Sequence, residues 1–147
     1  MAESKTENLF RGFHGAETFV EKRDIPKDFG FHSKRDGSTD SGYPDFFKEM
    51  EGGWLIVVEA KSGDPGPKTN HGAAEVDVRN YMADNAVPHA DIIGIAVSGQ
   101  TKRSLKATYF FRKGDTDLTE EIEGLRGLID LKTLTRHYNV LAHGDPL

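Results

Sequence analysis

Residues 42–63 read GYPDFFKEMEGGWLIVVEAKSG, and they set an acid and an amine at the end of an apolar strand. Tyr43 to about Met50 has strand character, and Trp54 to Lys61, rich in Ile and Val, has more of it. Glu51, Gly52 and Gly53 between them are turn residues, so the pair reads as a β-hairpin. Six of the seven residues from Trp54 to Ala60 are apolar; the exception is Glu59, with Lys61 two places later. Side chains on a strand alternate faces, so Glu59 and Lys61 share one face with Val57, while Ile56 and Val58 pack on the other. Folding the hairpin about Gly52 sets Asp45 across from Glu59, with Cβ atoms roughly 4.5–5.5 Å apart. A change of one residue in the turn would send Asp45 to the other face, so this geometry assumes the register. Like charges placed opposite each other destabilise a sheet, and a divalent cation ligated by both carboxylates relieves the repulsion. The other reading of Glu59 and Lys61 is a same-face ion pair at a strand's exposed end, worth under about 1 kcal/mol.

Outward from the hairpin, Ser4 to Asp24 is expected to be a helix, broken near Gly12 and Gly15, with Phe10, Phe13, Phe19 and Val20 on its buried side. DIPKDFG reads as a turn, Phe31–Ser33 as a short strand, and DGSTDSG at 36–42 as a flexible run. SGDPGPKTN at 62–70 reads as a loop, and His71 to about Asn85 as a helix with Ala74, Val78, Tyr81 and Met82 on one face. DIIGIAVSG at 91–99 is a strand of the kind buried on both faces, and KATYFFR at 106–112 is another. Leu118 to about Leu128 and Leu131 to Leu141 are amphipathic helical stretches. The order predicts an α/β fold with a central mixed sheet flanked by helices. It reads as one domain, with a core of about residues 4–112 and a helical extension of about 116–141.

The bulk numbers fit that reading. With 147 residues, 36% hydrophobic and 29% charged, the chain has the profile of a globular domain with a sizeable core. No apolar run approaches the roughly 20 residues of a membrane span, and the polar, charged start is no signal peptide. The chain has no cysteine, which excludes disulfides and thiolate metal sites and fits a cytoplasmic, unsecreted protein. A net charge of −5 argues mildly against a wide nucleic-acid grip. Metal-binding carboxylates add negative charge of their own, however, and the basic residues are bunched: Lys22 with Arg23, Lys34 with Arg35, and Lys102, Arg103 and Lys106.

Pro44-Asp45, followed 14 residues on by Glu59-Ala60-Lys61, resembles the PD-(D/E)xK nuclease superfamily. The likeness covers an upstream helix, a loop, the motif hairpin, a helix and an apolar strand, about Ser4 to Gly99. Within the superfamily it looks most like the amino-terminal nuclease domain of type I restriction enzyme motor subunits, where a Gln-x-x-x-Tyr motif follows on the helix. Tyr81 fits the tyrosine, but Asp77 stands where the glutamine is expected. The resemblance implies a restriction-endonuclease-like core and a metal-dependent DNA endonuclease. Asp45, Glu59 and the Ala60 carbonyl would bind Mg²⁺, with Mn²⁺ able to substitute, and Lys61 would orient water and stabilise phosphoryl charge. It also implies a further acid from the first helix, for which Glu7, Glu17 and Glu21 are candidates, with Glu17 or Glu21 nearer in sequence. The chain ends after LAHGDPL, as a module excised from a restriction or helicase complex would.

Other candidates carry less. Asp77 and Tyr81 share a helix face and read first as a solvated edge above a core tyrosine. Arg79 reads as solvated, His71 as an ordinary histidine near a proline-rich loop, and Asp64 as part of a turn. TKRSLK at 101–106 contains the candidate phosphate contacts Lys102, Arg103 and Lys106, or else is a solvated hairpin tip. The rival function is a PD-(D/E)xK-like nucleic-acid-binding or assembly module with weak or no cleavage.

Overall fold

The computed structural model describes residues 2–26, 43–62, 70–83, 90–114, 116 and 119–145. Among them the elements run α1 (Ala2–His14), β1 (Val20–Glu21), a 3₁₀ turn (Lys22–Asp24), β2 (Phe46–Glu49), β3 (Leu55–Lys61), α2 (Asn70–Ala83), β4 (Ile92–Ser98), β5 (Lys106–Arg112), β6 (Glu120–Glu121) and α3 (Leu131–His143). The strands lie in sequence order in one six-stranded sheet. β3 and β4 are parallel, joined by the crossover that contains α2, and every other neighbouring pair is antiparallel. The α/β class with a mixed sheet is therefore as expected.

Alternation along β3 divides the core in two. Ile56 and Val58 face Phe10 of α1, Phe46, Ile93, Ile95, Val97 and Tyr109, together with Leu134 and Tyr138 of α3. Leu55 and Val57 face the opposite layer, where Ala74, Val78, Tyr81 and Met82 of α2 pack with Ile92, Ala96 and Phe110. β4 lies between β3 and β5 with all seven residues buried, which is why it carries no polar alternation. The rings of Trp54 and Tyr138 stack at 4.1 Å, and the Tyr138 hydroxyl donates to Asp91 Oδ2 at 2.8 Å, so α3 is fixed to the end of the sheet where β3 starts.

Two expectations need correction. The first helix does not reach Asp24: it ends at His14, whose carbonyl accepts the Thr18 hydroxyl, and the chain turns so that Phe19 packs on Phe10 and Phe46. Val20–Glu21 then adds an edge strand to β2. The helix expected over 118–128 is also absent among the described residues there. Gly124 and Gly127 adopt φ of 86° and 62°, the left-handed region that interrupts a helix, and Ile122 is buried, its N–H donating to the Tyr109 carbonyl as β6 pairs β5. Periodicity alone does not register either effect. The extension is accordingly one helix, α3. The strand expected at Phe31–Ser33, the flexible run at 36–42 and Asp64 lie outside the described residues.

Candidate functional site

The hairpin has the register assumed from the sequence. Phe46 pairs Val58, Phe47 pairs Val57 and Glu49 pairs Leu55, and one further step along the ladder sets Asp45 opposite Glu59. Gly52 and Gly53 make the turn, closed by the Met50 N–H to the Trp54 carbonyl at 2.7 Å. Asp45 sits just before β2 and sends its Oδ2 to the Ala60 N–H at 2.9 Å, taking the place of a ladder bond at the strand end. Glu59 is 1% exposed. Asp45 and Glu59 thus both lie at the carboxyl end of β3, and Glu59 is fully buried.

Lys61 lies on the Glu59 face, toward α2, and its Nζ is 3.2 Å from Asp77 Oδ2, with both side chains mostly buried. Tyr81, one turn on, is buried and donates its hydroxyl to the Tyr43 carbonyl at 3.0 Å, two residues before Asp45. The two helix positions flagged by the sequence therefore reach into the hairpin: Asp77 holds the lysine, and Tyr81 holds the strand that leads to Asp45. The solvated-edge reading of Asp77 is corrected, because its carboxylate is mostly buried and paired with Lys61.

α1 closes the same end of the sheet. The buried Thr6 hydroxyl lies 3.0 Å from the Lys61 carbonyl and 2.6 Å from the Gly99 carbonyl, tying the helix to the ends of β3 and β4. One residue on, Glu7 lines a cleft of about 390 Å³ with Arg11, Glu21, Lys22, Arg23 and Asp45. Arg11 forks onto Glu21 at 2.6 and 2.8 Å and also reaches Glu7 at 3.2 Å. That fork holds the Glu21 carboxyl below its ordinary range. Of the upstream acids, Glu7 and Glu21 stand beside Asp45, while Glu17 is exposed in the turn after α1 and outside the cleft lining. Lys22 Nζ lies 3.4 Å from Asp45 Oδ1.

The remaining candidates lie around β4 and β5. His71, on the first turn of α2, puts Nδ1 2.7 Å from Ser98 Oγ and Nε2 2.7 Å from Thr108 Oγ1, and burial lowers its pKa. It bridges two strands and is part of the packing. Lys102 and Arg103 are exposed on the β4–β5 connection, and Lys106 is exposed at the start of β5. Arg79 is exposed, bonded to Thr119 and lying over the Phe110 ring. Sequence reasoning missed the parts played by Thr6, Arg11 and Lys22. The i,i+4 spacing of Glu7 and Arg11 was a signal; nothing local marked Thr6, because its partners lie 55 and 93 residues away.

Among the described residues no three His, Cys, Asp or Glu side chains are grouped as metal ligands. The donors expected from the sequence are instead two carboxylates and the main-chain carbonyl of Ala60. Such a set suits Mg²⁺, which keeps several waters and takes only one or two carboxylates. Set against known families, curated proteins and solved structures, the chain has no match.

Proposed function

We propose that the chain is a divalent-metal-dependent endonuclease domain of PD-(D/E)xK type, with a restriction-endonuclease-like core, acting on DNA as a module of a restriction or DNA-processing enzyme. The observation that carries this reading is the hairpin register, which opposes Asp45 to Glu59 at the end of β3 with Lys61 on the same face. Asp45, Glu59 and the Ala60 carbonyl hold Mg²⁺ or Mn²⁺, and burial of Glu59 makes a cationic partner valuable. A cation held there would supply a lowered pKa for a bound water and polarisation of a phosphodiester. Lys61, steadied by Asp77, presents its ammonium to charge developing on the phosphoryl oxygens. Glu7 and Glu21 line the approach, and the acids of this cleft are matched by Arg11, Lys22 and Arg23, which face an incoming phosphate.

A second reading, a binding or assembly module with weak cleavage, draws on the same ion pairs. Lys61 with Asp77 and Asp45 with Lys22 give the charges internal partners without a metal. Titration of Mn²⁺ into wild type and Glu59→Ala by calorimetry, followed by plasmid nicking with the same samples, separates the two. Binding and nicking that both vanish in the variant establish the nuclease. An absence of Mn²⁺ binding in the wild type gives the lead to the binding module.

A further inference from the structure

We propose that Lys22 is a displaceable counter-ion of the metal site, holding Asp45 Oδ1 until a divalent cation takes its place; this rests on the metal-site reading above. The two oxygens of Asp45 are engaged differently. Oδ2 accepts the Ala60 N–H at 2.9 Å and is committed to the hairpin backbone, whereas Oδ1 faces only the Lys22 ammonium at 3.4 Å among the contacts of the described residues. The anchoring of Lys22 is one-sided in the same way. Its backbone N–H donates to the Asp45 carbonyl at 3.1 Å, which fixes its Cα beside the acid, while its side chain is 55% exposed against 12% for that of Asp45. A long, exposed amine on a pinned backbone swings out at little cost, because a pair of this exposure is weak.

The neighbouring cation cannot do the same. Arg11 is locked by its fork on Glu21 and by Asn8 at 2.7 Å. The six cleft residues, Glu7, Arg11, Glu21, Lys22, Arg23 and Asp45, carry three acids and three bases, so the cleft is neutral with Lys22 in place. Departure of Lys22 leaves a net negative cleft that attracts a divalent cation. The released ammonium stays tethered at the cleft rim, next to Arg23, where a phosphodiester's non-bridging oxygens give it a new partner. A bound polyanion therefore favours the swung-out lysine and tightens metal binding, and by linkage the metal tightens the polyanion.

The test is calorimetric titration of Mn²⁺ into metal-free wild type, Lys22→Ala, Lys22→Gln and, as a control for net charge on a distant helix, Lys132→Ala. The expected result is about two- to fivefold tighter binding in both Lys22 variants, the share an exposed pair can contribute, with Lys132→Ala like wild type. Equal or weaker binding in the Lys22 variants, with wild type binding well, overturns the counter-ion role and leaves the metal site standing. No heat of binding in any of the four overturns both.

Discussion

Lys61 and Asp77 illustrate how a departure from a motif becomes a specific contact. An ammonium mostly withdrawn from water needs a fixed partner, and Asp77 supplies one at 3.2 Å, from the helix position where the resemblance leads one to expect glutamine. Lys61→Ala is expected to slow DNA cleavage by roughly 10²-fold or more while changing Mn²⁺ affinity little; equal losses in both, measured by nicking rate and calorimetry, would make the lysine structural. Asp77→Asn, which keeps the shape and removes the charge, is expected to slow cleavage about tenfold with the same split. Another residue-scale expectation concerns pH. His14 is held among the rings of Phe10, Phe13 and Phe19, and burial lowers its pKa to about 4 against the pull of Asp130. The unfolded chain, with an ordinary histidine near 6.5, then binds more protons than the folded chain between those values. Stability contributed by neutral His14 is complete above about pH 6.5 and declines as pH falls toward 4. His71, lowered by the same cause, adds in the same direction. Denaturant melts at pH 7.5 and 5 are expected to show this loss, and His14→Leu to reduce it; an unchanged slope in the variant would exclude His14 as a source.

At the scale of elements, the docking of α1 rests on few polar contacts made at long range. Thr6 is fully buried, and its hydroxyl serves two carbonyls at the ends of β3 and β4. Thr6→Val keeps the shape and leaves those carbonyls without that donor, so a loss of about 1–3 kcal/mol is expected in urea unfolding. Gly99, which supplies one of the carbonyls, has φ of 104°, and an added Cβ would lie 2.6 Å from the Ser104 carbonyl oxygen and 2.8 Å from Leu105 Cα. Gly99→Ala thus combines backbone strain with a clash against backbone, and about 2–4 kcal/mol of destabilisation is expected. Both substitutions act where α1 meets the sheet, beside the cleft. If either variant keeps wild-type stability, α1 is not held by this corner. At the other end, buried Arg112 donates to the Met82 and Ala90 carbonyls, the first of them in the last turn of α2, where a cation is favoured.

For the whole molecule, the sheet separates two apolar layers, α1 and α3 on one side and α2 on the other. Both layers are built from apolar side chains, and Arg11 with Glu21, Lys22 with Asp45 and Lys61 with Asp77 pair inside the chain. The fold is expected to survive chelation, with EDTA moving the melting temperature by no more than a few degrees; a large drop would assign the cation a structural role. No helix among the described residues is long and apolar enough to cross a membrane.

What the sequence by itself determined is what depends on neighbours a few residues apart. Strand alternation placed Val57, Glu59 and Lys61 on one face, the Gly52-Gly53 turn set the register that opposes Asp45 to Glu59, and the spacing of Ala74, Val78, Tyr81 and Met82 marked the buried side of α2. Local pattern erred where tertiary contacts outweighed it, as with the first helix, which ends early because Phe19 joins Phe10 and Phe46. It erred again over residues 118–128, where backbone at positive φ and pairing with β5 displaced a helical periodicity. The partners of Lys61 and Asp45 were decided by the tertiary structure alone. Asp77 meets Lys61 because α2 crosses the sheet at that point, and Lys22 meets Asp45 because β1 pairs beside β2, bringing together residues 23 positions apart whose attraction leaves no periodic trace in the chain.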